Sequence, residues 1–476
     1  MKSRAIVAAS FGLGFCCLAL AAPGPTESQA IELLMANISS PGAAPGAVVA
    51  APRDQGPQGP DYFYHWVRDA GLVMDVVARL YARETDTARK AAFERALLEF
   101  VRFSRRNQLT PTPSGHLGEP KFNADGSAFH GPWGRPQNDG PALRALALIR
   151  LARAWLAEGQ EATVREWLYD GKFPTQSVIK TDLEFVASRW RESCFDLWEE
   201  VRGKHFYTRV VQRQALVEGA SLALRLGDPG AAQWYLAQAR GLESELDRHW
   251  DPRVGAVVPT LERDGGIDYK TSGLDASVIL AVLHAGAGAD RFGPLDERVL
   301  SSFRRLENEF AGLYPINHKG WPAVAIGRYP EDRYDGVSTG REGNPWVLLT
   351  LAFGEFLRVS ASAAEAAGRV AVTPVNVGFL RAFGASAPVG AAIAGAELAR
   401  LMAAMRVRAE EYVARGRLHA DGVHLSEQIN RHGGQMQGAR DLSWSYAALL
   451  TAGPLAGFVI GLPAAGSTLP GDRARR

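Results

Sequence analysis

Glu199 and Glu200 stand side by side after Trp198, in the run Phe195-Asp196-Leu197-Trp198-Glu199-Glu200. A carboxyl group packed against an aromatic ring loses hydration, which favours its neutral form and lets it hold a proton at working pH. Two carboxyl groups on opposite sides of an acetal, one donating a proton and one accepting a proton from water, suffice to hydrolyse it. Side chains adjacent in sequence point in different directions, so Glu199 and Glu200 do not form such a pair. The partner must come from another loop. Glu427, between Ser426 and Gln428, is the best candidate.

The same mixture of groups recurs in four further stretches. These are Asp61-Tyr62-Phe63-Tyr64-His65-Trp66-Val67-Arg68-Asp69; segment 118–141, with Trp133, Arg135 and Asn138; Gly327-Arg328-Tyr329-Pro330-Glu331-Asp332; and Leu425-Ser426-Glu427-Gln428 with Asp441-Leu442-Ser443-Trp444. Flat rings pack on the C–H faces of a pyranose, and carboxylate and guanidinium forks match its vicinal hydroxyls. Five such stretches point to a sugar site. Nucleic-acid bases also stack on rings, but that surface needs surplus positive charge. Lys and Arg number 53 against 51 Asp and Glu, a net charge of +2, which argues against nucleic acid or an anionic membrane as main partner. The histidines show no ligand spacing, so no metal and no cofactor is expected; on calcium the sequence is silent.

Helical period runs through residues 70–81, 89–103, 142–157, 209–226, 231–246, 299–310, 346–359 and 391–414, apolar every third or fourth position. About a dozen helical segments are expected, and alternating β-branched runs are scarce. Helices arriving in pairs suggest concentric layers in one large all-helical unit. A solenoid of stacked pairs is the runner-up, against which stands the lack of a fixed repeat. The chain has 476 residues, 46% apolar and 22% charged, a globular balance. Lys2, Arg4, an apolar run over 5–20 and small residues up to Ala21 predict a signal peptide, residues 1–21, and a single domain over 22–476. The mature chain is then secreted, monomeric and free of disulfides, with Cys194 its only thiol. No later stretch reads as long and apolar enough to span a membrane.

Asp196-Leu197-Trp198-Glu199-Glu200, Gly327-Arg328-Tyr329-Pro330-Glu331-Asp332 and Trp133-Gly134-Arg135-Pro136-Gln137 together resemble the glucoamylase family of glycoside hydrolases, from about residue 31 to about 452. The resemblance implies an (α/α)6 barrel of six inner and six outer helices with the active site at one end. It also implies inverting exo-hydrolysis of α-1,4-glucans or malto-oligosaccharides. By the same resemblance Glu199 is the general acid and Glu427 the general base. Glu200 and Trp133 hold the leaving-group side, while Arg68, Asp69 and Arg328 grip the terminal glucose. Tyr62 and Trp66 wall that subsite, and Arg135 is a further substrate-binding candidate. Asp196 supports the acid loop, Leu197 offers its carbonyl, and Trp444 packs beside the base.

Departures from the family pattern concern the rim. Arg202, Lys204 and His205 follow the acid loop, Phe195 replaces a frequent Tyr, and residues 336–342 are an extra stretch before Asn344-Pro345-Trp346. Gly438 stands where relatives often have Ser near the base, so a hydroxyl bond that would favour ionised Glu427 is missing and its pKa should be higher. The Pro/Gly/Arg-rich end after Trp444 does not read as a carbohydrate-binding module. Alternatives within the fold are a glucodextranase- or trehalase-type α-glucosidase. A non-catalytic sugar-binding protein is the reading outside enzymes, and the presence of both Glu199 and Glu427 counts against it.

Overall fold

Segments such as Leu143-Arg144-Ala145-Leu146-Ala147-Leu148-Ile149 have no polar face, so a helix built from them must be covered on every side. The computed structural model describes residues 24–55, 59–286 and 291–456; the expected signal peptide lies outside the described residues. It contains α1 (Glu27–Ala36), α2 (Val67–Arg83), α3 (Thr87–Leu109), α4 (Gly140–Ala157), α5 (Glu161–Trp167), α6 (Val178–Arg189) and α7 (Phe206–Arg225). There follow α8 (Pro229–Leu246), α9 (Ser277–Ala285), α10 (Glu297–Leu313), α11 (Val347–Ala367), α12 (Val377–Ala382), α13 (Gly395–Leu418) and α14 (Ser443–Ala452).

Six of these close a ring: α2 packs on α4, α4 on α7, α7 on α9, α9 on α11, α11 on α14, and α14 back on α2. Each is backed from outside by one partner, namely α3, α6, α8, α10, α13 and α1 in the same order. The architecture is an (α/α)6 barrel. Contact between α14 and α2 excludes the open solenoid, whose first and last pairs would not meet. Burial follows the layers. In α4 every residue from Gly140 to Leu156 is buried, whereas α10 buries only a stripe that includes Val299, Phe303, Leu306 and Phe310.

Two expectations need correction. Helix α11 is long and apolar enough to cross a membrane by length and composition, contrary to the sequence reading, but it is an inner barrel helix, packed on α9, α13 and α14. The period over residues 391–414 begins too early, because Ala392–Ala394 is a strand paired with Arg369–Ala371 and α13 starts at Gly395. Cys194 is buried, and burial pushes its thiol up to about 12, so it stays a neutral, inert thiol.

The rings differ at their helix starts. Asp86, Asp228, Asp296 and Thr26 cap the outer helices α3, α8, α10 and α1 with side-chain hydrogen bonds. None of the inner helices has a side-chain cap; Trp66, Asp139, His205, Ala276, Trp346 and Leu442 stand at those positions. Six helix N-termini with their positive dipole ends therefore gather at one end of the barrel, where Asp69, Asp139 and Asp275 stand beside three of them. That end suits a site built from carboxylates.

Candidate active site

Every chemically dense stretch lies just before an inner helix, so all of them meet at this end. There they enclose a cavity of about 360 Å³. Its wall includes Tyr62, Trp66, Arg68, Asp69, Trp133, Leu197, Glu199, Glu200, Arg328, Glu427 and Trp444. Arg135 and Asp196, expected to bind substrate, are not in the wall. Arg135 spends its guanidinium on Glu119 at 2.7 Å and on the carbonyls of Gly131 and Phe129, holding the Trp133 loop from behind. Arg202, Lys204 and His205 lie in the strand Val201–His205, also outside the wall.

Asp196 shapes the loop that carries Glu199 and Glu200. Its Oδ1 accepts the N–H groups of Glu200 at 2.8 Å and Val201 at 3.0 Å, closing the turn between strands Cys194–Phe195 and Val201–His205. Glu199 takes a left-handed φ of 68°, uncommon for a side-chain-bearing residue, and the two glutamates diverge. Oε1 of Glu199 accepts from Trp66 Nε1 at 2.9 Å, Gln137 Nε2 at 3.0 Å and Arg68 Nη2 at 3.4 Å. With three donors on Oε1, a proton on this carboxyl belongs on Oε2. Glu200 turns the other way, to Arg328 Nη2 at 2.9 Å and the Tyr329 hydroxyl at 2.7 Å. Burial raises its pKa and Arg328 opposes that shift.

Both arginines are held rigidly. Arg68 donates to Gln137 at 2.8 Å and Asp139 at 3.1 Å, and Arg328 forms a two-pronged pair with Asp332 at 2.8 and 2.6 Å. Asp69, in the first turn of α2, is pushed up to about 6 by burial, with Arg68 opposing and Glu199 adding to the rise. Lys121 supports the aromatic wall: its ammonium lies 3.7 Å from the Trp133 ring centre and 4.4 Å from that of Trp66.

Glu427 sits in strand Ser426–Ile429, opposite Met436–Arg440, and is 1% exposed. Burial pushes its carboxyl up to about 8. Arg328 and the hydroxyls of Tyr62 and Tyr334 pull the other way, and Asp332 adds to the rise. Its Oε2 is buried without a hydrogen-bond partner. Gly438, on the paired strand at φ 75°, has its Cα where a Cβ would stand 2.5 Å from that Oε2. Gly336, from the extra stretch, packs on Gly438 so closely that a Cβ on Gly336 would come within 2.8 Å of the Gly438 Cα. A side chain at 438 would thus meet Glu427 first, at 2.5 Å from Oε2, and the Gly336 Cα of the inserted segment at 3.3 Å.

Burial of Glu427 has a thermodynamic signature. An ordinary glutamate loses its proton near 4.5, whereas here the folded chain keeps it to about 8. Between those values the native state binds more protons than the unfolded one, so stability falls as pH rises through that window. Glu427→Gln removes this titration. Its Tm is expected to exceed the parent's by a few degrees at pH 8 and to match it below the lower value. Calorimetry at both pH values checks this; equal differences at the two would contradict it.

Wall residues that the sequence reading did not single out as binding are Ala50, Gly134, Trp198, Tyr334, Thr339, Trp346 and Leu442. Trp198 and Trp346 lay within quoted motifs and pack together with ring centres 5.7 Å apart. Trp198 is fixed by its Nε1–H, 3.1 Å from Asp275. Tyr334 flanks the insertion and Thr339 belongs to it, and only the fold brings that segment to the pocket.

A double ring of helices whose uncapped inner ends frame an aromatic, carboxylate-lined pocket defines a carbohydrate-active hydrolase. The family model of glycosyl hydrolases family 15 matches residues 29–454. A glucoamylase of Blastobotrys adeninivorans is 40% identical, with 88% of this chain and 69% of the relative covered. Glucoamylase 1 of Rhizopus oryzae is 35% identical over 88% of this chain and 68% of its own. The solved glucoamylase of Hormoconis resinae superimposes with a TM-score of 0.79 at 32% identity, covering 90% of this chain and 71% of the other. The chain belongs to glycosyl hydrolases family 15.

Proposed function

We propose that this enzyme is a glucoamylase that removes glucose one unit at a time from the non-reducing ends of α-1,4-glucans, with inversion at the anomeric carbon. Glu199 protonates the leaving oxygen and Glu427 takes a proton from the attacking water. The observation that carries this reading is the contrast between the two carboxyl groups in one pocket. Oε1 of Glu199 is occupied by donors, which leaves Oε2 to carry the proton it would deliver, while Glu427 lies in the same pocket wall beside Tyr62 and Tyr334, with its Oε2 buried against Gly438 and its other oxygen left to meet a water. Glu200, tied to Arg328 and Tyr329, contacts the leaving-group side. Inverting pairs leave room for a water, with carboxyl groups roughly 6.5–9.5 Å apart.

NMR of the first product is expected to show β-glucose; α-glucose at the start would reverse the assignment. Free glucose should also appear before viscosity falls, because a walled pocket admits a chain end and not a chain middle. An early mixture of longer oligosaccharides would count against it. The basic and apolar N-terminal residues support secretion, and the substrate class supports it too, because long glucans do not cross membranes.

A further inference from the structure

Strand Thr260–Gly266 pairs with Val201–His205, and the chain leaving it passes behind the loop that carries Glu199 and Glu200. There the N–H of Ile267 donates to the Glu200 carbonyl at 3.0 Å. Lys270, further along the same segment, is buried. Neither it nor the two carboxylates it meets, Asp196 and Asp275, belongs to the pocket wall. No step of the proposed reaction uses this ammonium. A lysine is seldom buried unless it is paired, because the charge loses its hydration.

Lys270 forms an ion pair with Asp275 and stands 3.7 Å from Oδ2 of Asp196, with its ammonium 4.2 Å from the centre of the Tyr329 ring. Each of these partners supports a wall residue. Asp196 holds the Glu200 and Val201 N–H groups with its other oxygen, at 2.8 and 3.0 Å. Asp275 accepts the Trp198 indole N–H at 3.1 Å and the Ser277 N–H at 2.7 Å. The Tyr329 hydroxyl donates to Oε2 of Glu200 at 2.7 Å. Burial disfavours the charge on Asp196, and Lys270 is foremost among the groups that nonetheless hold its pKa below the ordinary value. The donors to the Glu199 carboxyl, Trp66, Gln137 and Arg68, come from other segments. One ammonium therefore braces Glu200 and Trp198, while the carboxyl of Glu199 has separate supports.

We propose that Lys270 is a positioning residue for the leaving-group half of the pocket, fixing Glu200 and Trp198 from behind and so setting affinity for the sugar on that side. The naming of that side rests on the proposed function. Lys270→Met keeps the apolar stem and removes the charge. Its KM for maltose should rise about tenfold or more, as when a hydrogen bond to a charged group is lost. Its kcat should stay near the parent's. So should its inhibition constant for deoxynojirimycin, a single glucose-shaped ring that needs only the terminal subsite. Lys270→Arg, which keeps the charge, should restore most of the affinity for maltose. Asp275→Asn frees the ammonium from its nearest carboxylate while its amide oxygen can still accept from Trp198, and it should show the same split if Lys270→Met folds poorly. Parallel losses in KM, kcat and inhibitor affinity would mark a general loosening and overturn the proposal, as would an unchanged KM. Glu200→Gln is the control. Raised KM there with an unmoved KM in Lys270→Met overturns the role of Lys270 and leaves the reading of the pocket intact. Unmoved KM in both overturns the two together.

Discussion

Glu199→Gln and Glu427→Gln are each expected to lower kcat by about 10²–10⁴-fold while KM changes little, the loss that follows when a positioned proton donor or acceptor is removed. In Glu199→Gln the new amide can still be held by Trp66 and Gln137, but it has no proton acidic enough to give the leaving oxygen. In Glu427→Gln the amide fills the same buried space and cannot accept a proton from water. Glu200→Gln should act differently. It breaks the charge pairing with Arg328 at 2.9 Å, so its main effect is expected in KM. Steady-state kinetics on maltose and maltotriose separate these outcomes. Loss of turnover in Glu200→Gln with a mild Glu199→Gln would exchange the roles of the two neighbours.

The second large effect concerns pH. As the proposed base, Glu427 must be ionised to act, so activity is expected to be lost as pH falls through its pKa. Burial holds that pKa up at about 8 in the free enzyme. The acidic limb of kcat/KM, which reports the free enzyme, should therefore lie well above the ordinary carboxylate range. The groups facing this carboxyl are Arg328, Asp332, Tyr62 and Tyr334, and the two hydroxyls also bond one another at 2.7 Å. Each hydroxyl favours the ionised form. A hydroxyl has one hydrogen, so one tyrosine donates to the other and only one to the carboxyl. The double variant Tyr62→Phe/Tyr334→Phe should move the acidic limb upward by about one pH unit, since a bond to a charged group is worth ~1.5–3 kcal/mol and one unit is ~1.36 kcal/mol. Movement downward would contradict the account.

Gly438→Ser tests the same carboxyl from the other side, and here the fold revises the sequence reading. A serine hydroxyl alone would lower the pKa of Glu427 and shift the limb down. Yet its Cβ would stand 2.5 Å from Oε2 and 3.3 Å from the Gly336 Cα, at a φ of 75° that side chains disfavour. The base must then move. The expected result is a lower limb together with a drop in kcat of about tenfold or more, as misplacing a catalytic group by an ångström costs up to ~10²-fold.

The helices were legible in the sequence because their information is local, whereas the closed barrel came from the family resemblance and not from the period. Apolar spacing is written residue by residue, and α2, α3, α4, α7, α8 and α10 cover the segments read as helical. α9 and α14, nine and ten residues long and apolar almost throughout, have too little contrast between faces to show a period. The loop that carries the proposed acid was legible because Trp198, Glu199 and Glu200 are contiguous, and Asp196 bonds to groups only four and five residues on.

What joins distant segments was not legible. Nothing near Arg135 in sequence says that its guanidinium faces backward to Glu119 rather than into the pocket. Gly336 and Gly438 are far apart in the chain, and only the meeting of loops over the barrel end packs them against one another. The charge state of Glu427 belongs to the same class. Its residue type is a matter of sequence, but its proton affinity is set by how much water the whole barrel end removes and by Arg328, Tyr62 and Tyr334 arriving from two other loops. Sequence determined which groups are present and which helices carry them; tertiary structure decided their solvation and their partners, because both are sums over atoms that the chain brings together only by folding.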